Sequence, residues 1–110
     1  MGRFVRGEVV VVRFPFSDLS NTKRRPAVIV SPLKRDDAVI CPITSRDNGD
    51  GYSIEIQASD FKNGRLPVNP SYVRPNRVFT VDTNIIENTI GSLTASKIKE
   101  IIDSLVNIIS

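Results

Sequence analysis

The feature that most narrows the fold is a series of short β-branched runs, each closed by proline, glycine or a polar cluster. Gly7 precedes Glu8-Val9-Val10-Val11-Val12-Arg13-Phe14, which is too continuously apolar for a strand with one wet face. That strand is therefore expected to be buried on both sides, with Pro15 limiting regular pairing beyond it. Ser17 to Arg25 is polar and basic, with Leu19 its one apolar anchor, and reads as an exposed, mobile loop. Ala27-Val28-Ile29-Val30 is the second core strand, entered from Pro26 and left at Pro32. Ala38-Val39-Ile40-Cys41-Pro42-Ile43-Thr44 is the third, and Pro42, which has no N–H, marks an edge or a bulge.

The Arg46-Asp47-Asn48-Gly49-Asp50-Gly51 segment is a turn, because Asn and Gly accept positive φ at low cost. After it Tyr52, Ile54 and Ile56 alternate with polar residues, the pattern of a half-buried strand. Ala58 to Gly64 has room for one helical turn. A strand from Ser71-Tyr72-Val73 to Val81-Asp82 is expected to be interrupted at Pro75, and a last short strand spans Ile90 to Leu93. The period then changes. Ile98, Ile101, Ile102, Leu105, Ile108 and Ile109 fall at spacings of three and four, the mark of one apolar helix face, with Thr94 or Ser92 as the cap. No repeat or linker divides the chain, so residues 1–110 read as one domain: mainly β, a barrel or sandwich with a C-terminal helix lying on it.

Composition limits the chemistry open to such a domain. There is no histidine, which removes the Ser-His-Asp triad, the Cys-His pair, the His-zinc hydrolase and the paired-histidine ribonuclease. Cys41 is the single cysteine; it allows no intramolecular disulfide and no thiolate zinc site, and its apolar surroundings mark it as core. Carboxylates are scattered, and Asp36-Asp37 and Asp47-Asp50 read as loop charges; no metal site and no cofactor is expected. Gly49 and Gly51 lack the third glycine of a dinucleotide loop. No stretch reaches the ~20 apolar residues of a membrane span, and Arg3, Arg6 and Glu8 around a short valine run do not make a signal peptide. The expected compartment is the cytoplasm.

Charge is distributed unevenly. Residues 1–35 carry eight Lys/Arg against Glu8 and Asp18, a local +6, whereas residues 36–110 carry seven basic and ten acidic side chains, a local −3. Such asymmetry suggests a basic surface for an anion, nucleic acid first among candidates. Lys23-Arg24-Arg25-Pro26 concentrates it at the entrance to a core strand. Arg25 is the most constrained of the three, because Pro26 holds the preceding residue extended. A guanidinium fixed there can fork onto a phosphate and stabilise charge that builds during phosphoryl transfer. A solvated charge run is the plain alternative. Thr44-Ser45, at the end of the third run, supplies hydroxyls that can donate to a phosphate, although a strand-end threonine is as readily a β-former.

Taken in order, Gly7 to Ser20, Lys23-Arg24-Arg25-Pro26-Ala27-Val28-Ile29-Val30-Ser31, Cys41-Pro42-Ile43-Thr44-Ser45, Ser71 to Asp82, Ile90-Gly91-Ser92-Leu93-Thr94 and the terminal helix resemble the MazF/PemK toxins over nearly the whole chain. The resemblance implies an SH3-like barrel, a homodimer, and a metal-independent, sequence-specific endoribonuclease acting on single-stranded RNA. It also implies a cognate antitoxin, an acidic and partly disordered segment threaded over the active surface. On the family's motifs Arg25 and Thr44 are the catalytic residues. Phe16, Ser17, Asp18, Lys23, Arg24, Ser45, Asn76 and Arg77 belong to the RNA-contacting surface. The contrasting reading is a CcdB-like, gyrase-binding toxin of the same fold. Such toxins act through a tryptophan-bearing C-terminus, and this chain has no Trp and ends Asn107-Ile108-Ile109-Ser110. An RNA-binding relative without activity is the third.

Overall fold

The computed structural model describes residues 4–15 and 22–110. Eight strands precede one helix: β1 (Glu8–Pro15), β2 (Thr22–Pro32), β3 (Asp37–Thr44), β4 (Ile54–Ile56), β5 (Phe61–Gly64), β6 (Ser71–Val73), β7 (Phe79–Asp82), β8 (Ile86–Leu93) and α1 (Ala95–Ile109). They form one curled antiparallel sheet in the order β4-β6-β3-β2-β1-β8-β5, with β7 added to β3. This is the mainly β, barrel-like architecture with a C-terminal helix that the run pattern implied.

The valine run of β1 is buried on both faces, as its continuity required. Val9, Val28 and Cys41 are cross-strand partners in β1, β2 and β3 and join one cluster, which includes Ile43, Ile56, Val73, Leu93, Ile101 and Leu105. Val10, Val12, Ala27, Ile29, Ile40, Val81 and Ile86 form the second, on the opposite face of the same strands. The helix seals the first cluster; β7 and the start of β8 contribute to the second. Each large aliphatic side chain so enclosed contributes about 1.5–3 kcal/mol of transfer free energy. Burial pushes the Cys41 thiol up to about 12, so it is a packing residue and no nucleophile.

Several local expectations shift. Pairing of β1 with β2 runs as far as Pro15 and Thr22, so Lys23, Arg24 and Arg25 lie on β2 rather than in a loop. Pro42 sits in an interior strand. β3 pairs with β7 through Asp37–Ile40 and with β6 from Ile43, and Pro42 occupies the changeover, where a missing N–H interrupts no ladder. The strand expected between Ser71 and Asp82 is two strands, β6 and β7, separated by a 3₁₀ turn at Pro75–Arg77. The last strand begins at Ile86, four residues early, because Ile86 closes onto Val12. Ala58–Asp60 is the helical turn expected in this stretch, of 3₁₀ type, and Phe61–Gly64 then becomes β5. Tyr52 is half exposed and precedes β4, whose inward residues are Ile54 and Ile56.

Thr94 is the helix cap, its hydroxyl accepting from Lys97 N at 3.4 Å. Ile101 and Leu105 are buried, and Ile98 and Ile102 pack beside them, whereas Ile108 and Ile109 at the end remain exposed. Lys97 ties the helix to the sheet, donating to the Glu55 carbonyl at 3.0 Å and to Glu100 at 2.8 Å.

Gly64 and Gly91 face each other where β5 meets β8. Gly64 has φ +74°, and a Cβ there would strike the backbone of Ile90 and Gly91. Strain and collision act together, so Gly64→Ala is expected to cost more than about 1 kcal/mol. A drop of several degrees in Tm by calorimetry checks this; an unchanged Tm would show that the two backbones can separate freely.

Candidate active site

Strand register brings the two residues of greatest chemical interest together. Ala27 of β2 pairs with Pro42 of β3. The β2–β3 ladder ends at that pair, and the two strands run on side by side to Arg25 and Thr44, two residues further along each. Side chains alternate along a strand, so Arg25 shares a face with Ala27 and Ile29, and Thr44 shares it with Ile40. Both line a cleft of about 350 Å³, whose wall also takes in Ile43 and Leu66 of the first core cluster. Lys23, Arg24 and Ser45 line it too, while Leu66, Pro67, Val68 and Ser71 form a further part of its wall.

Arg25 is exposed, and among the described residues its guanidinium has no ion-pair or side-chain hydrogen-bond partner. Its five N–H donors face solvent in a planar fork. Thr44 is half-buried, and its Oγ1 accepts from Arg46 N at 3.4 Å. That leaves the hydroxyl hydrogen to donate into the cleft. A fixed cation beside a hydroxyl donor can bind a phosphate and stabilise added negative charge on it.

Arg24 is placed differently from Arg25, because neighbours on a strand point to opposite faces. Its Nε donates to Glu87 on β8 at 2.6 Å, and Arg13 Nη2 approaches the other carboxylate oxygen at 2.8 Å. Arg13 and Arg24 are direct cross-strand partners, a like-charge juxtaposition that Glu87 relieves. The Arg24 hydrogen bond, helped by the charges of Arg24 and Arg13, holds the Glu87 carboxyl below its ordinary range despite some desolvation.

Asn76 and Arg77 lie in the 3₁₀ turn after β6 and do not line the cleft. Asn76 Nδ2 donates to Asp50 Oδ2 at 3.3 Å, and Arg74 Nη2 reaches the same oxygen at 3.3 Å. This network pins the 46–51 turn, which follows directly on Thr44 and Ser45. The Tyr52 N–H is the main reason the Asp50 carboxyl is held low, ahead of Arg74 and Asn76. Phe16, Ser17 and Asp18 lie outside the described residues. The wall residues Leu66, Pro67, Val68 and Ser71 escaped sequence reasoning. Ser71 Oγ donates to the Val68 carbonyl at 2.7 Å, a structural role, and nothing in an isolated Leu-Pro-Val triplet signals a binding wall. Among the described residues no three Asp, Glu or Cys side chains converge as metal ligands, and no helix is long and apolar enough to cross a membrane.

Residues 5–109 match the family described as PemK-like, MazF-like toxin of type II toxin-antitoxin system. The chain belongs to this family. Solved structures resemble this PemK/MazF-like toxin in fold. A chain of the MazE–MazF structure from Deinococcus radiodurans superposes with a TM-score of 0.75 at 22% identity, covering 94% of each chain. An endoribonuclease from a mycobacterial species gives 0.73 at 20% identity, covering 99% of the toxin and 93% of that chain. A mycobacterial endoribonuclease in complex with its cognate antitoxin gives 0.70 at 19%, covering 99% and 95%. No curated protein sequence matches.

Because the folded state holds the Glu87 carboxyl below the ordinary 4.5, the ion pairs favour folding above that pH, and the benefit is lost as acid protonates the group. Glu87→Gln is therefore expected to lower Tm at neutral pH and low salt. The difference from the parent should vanish as pH falls through the carboxylate range, and shrink in ~1 M salt, where the screening length is ~3 Å. A Tm difference constant with pH would assign Glu87 to packing.

Proposed function

We propose that this toxin is an endoribonuclease that cuts single-stranded RNA by internal transesterification, without a metal ion, and so arrests growth in the cytoplasm. The observation that carries the reading is the convergence of Arg25 and Thr44 on one cleft. The substrate's own 2′-hydroxyl attacks the adjacent phosphorus. The O2′–P bond forms, the P–O5′ bond breaks, and the products are a 2′,3′-cyclic phosphate and a 5′-hydroxyl. The 2′-oxygen loses a proton and the 5′-oxygen gains one.

Such a reaction asks the protein for orientation and charge stabilisation rather than a nucleophile, which suits a chain lacking histidine. A guanidinium is a donor-only, fixed cation, so Arg25 acts as an electrostatic clamp on the phosphate rather than a base. Thr44 donates to a non-bridging oxygen as the pentacoordinate phosphorus develops. Lys23, Arg24 and Ser45 contact the flanking backbone, together with Phe16, Ser17, Asp18, Asn76 and Arg77. The working unit is a homodimer whose basic edges border a shared groove. An acidic, partly disordered antitoxin segment occupies that groove when the toxin is restrained.

Purified protein incubated with mixed RNA in EDTA tests the activity. Cuts that persist and leave a cyclic phosphate on the upstream fragment are expected; complete dependence on added Mg²⁺, or gyrase inhibition with intact RNA, would overturn it. Arg25→Ala and Thr44→Ala should each lower kcat by ~10²–10³, the usual cost of one preorganised donor to a developing anion. Arg25→Lys should not restore activity, since an ammonium cannot reproduce the planar fork. Thr44→Ser should retain far more activity than Thr44→Val, with unchanged Tm as the folding control. An active Val variant would reduce Thr44 to a β-branched packing residue.

A further inference from the structure

We propose that the Leu66-Pro67-Val68 ridge and the hollow behind it form a second nucleotide subsite, for the part of the RNA strand next to the phosphate held by Arg25 and Thr44. This rests on the ribonuclease reading and extends it. The hollow measures about 330 Å³ and shares Leu66, Pro67 and Val68 with the Arg25 cleft, so the two are opposite slopes of one ridge. A strand leaving the cleft over this wall crosses the ridge. Val68 is 48% exposed and Pro67 is exposed, so the crest is apolar and open to water. An apolar crest of this kind accepts the face of an unstacked base.

The far slope carries donors. Arg65 is exposed and, among the described residues, its guanidinium has no ion-pair or side-chain hydrogen-bond partner. Asn69 commits its amide oxygen to Ala58 N at 3.1 Å, which leaves its NH₂ to donate. A guanidinium beside an amide donor suits the next phosphate and a base edge, and among the described residues no carboxylate lines the hollow. The segment is also held in place before any ligand arrives. Arg65 N donates to the Ile90 carbonyl at 3.3 Å, Asn69 is fixed to Ala58, and Ser71 Oγ holds the Val68 carbonyl at 2.7 Å. Binding there therefore costs little ordering entropy.

The test is fluorescence anisotropy with single-stranded, mixed-sequence nonanucleotides carrying 2′-O-methyl ribose, which bind without being cut. Arg65→Gln should weaken binding about tenfold, the size of one charge-assisted contact, and reduce the slope of log K against log salt by about 0.7. Val68→Ser should weaken binding with the slope unchanged, because it removes apolar contact alone. Both positions are exposed, and unchanged melting temperatures verify the fold. Arg25→Ala is the reference. If Arg25→Ala weakens binding while both ridge variants bind like the parent, the subsite is overturned and the ribonuclease reading stands. If Arg25→Ala also binds like the parent, both are overturned. A loss confined to polyglutamate binding, with RNA affinity unchanged, would also overturn the subsite, in favour of a protein-binding ridge.

Discussion

Everything at the candidate site depends on the β1–β2–β3 ladder being buried on both faces. Val9, Val28 and Cys41 lock it from one side, and Val10, Ala27, Ile29 and Ile40 from the other. A one-residue slip of β2 would exchange these two sets and bring Arg24 or Pro26 to the face that Arg25 now occupies. The relation between Arg25 and Thr44 is thus specified by core packing that neither residue takes part in.

The same alternation separates the charges of the basic segment. Arg24 and Arg25 are adjacent in sequence and both line the cleft, yet Arg24 is bound to Glu87 while Arg25 has no ion-pair partner among the described residues. Two arginines opposed across β1 and β2 would repel, and Glu87 converts that repulsion into a shared carboxylate. The cleft keeps the positive charge of Arg25 because Glu87 is engaged by Arg13 and Arg24 and does not line the cleft.

Support for the rim comes from polar contacts more than from burial. Arg74, Asn76 and Asp50 tie the turn after β3 to the end of β6, and the Arg46 N–H fixes the Thr44 hydroxyl. Opposite them, Ser71 and Asn69 hold the 65–70 segment. These contacts thereby fix the end of β3 and the 65–70 segment, both of which contribute to the cleft wall. A phosphate-binding site benefits from such rigidity, since donors already in position need no rearrangement when charge develops.

The core strands were legible from sequence because β-branched runs bounded by Pro and Gly have few other uses, and the helix because its isoleucines repeat at three and four. The Arg-Pro and Thr-Ser signatures marked their residues for the same reason: chemistry and backbone restriction are both local. Partners across space were not legible. Pro42 looked like an edge residue because a sequence does not show that β3 changes neighbours there, and Glu87 looked like any surface carboxylate until β8 laid it beside two arginines. Leu66, Pro67 and Val68 carry no pattern at all, and become a wall only because β5 and β6 set them against the end of β3. Sequence alone determined which segments would be strands and which residues had suitable chemistry, since propensity, periodicity and functional groups are properties of neighbours along the chain. Only the tertiary structure decided which of those residues meet, because sheet register and loop placement are settled by burial between segments far apart in sequence.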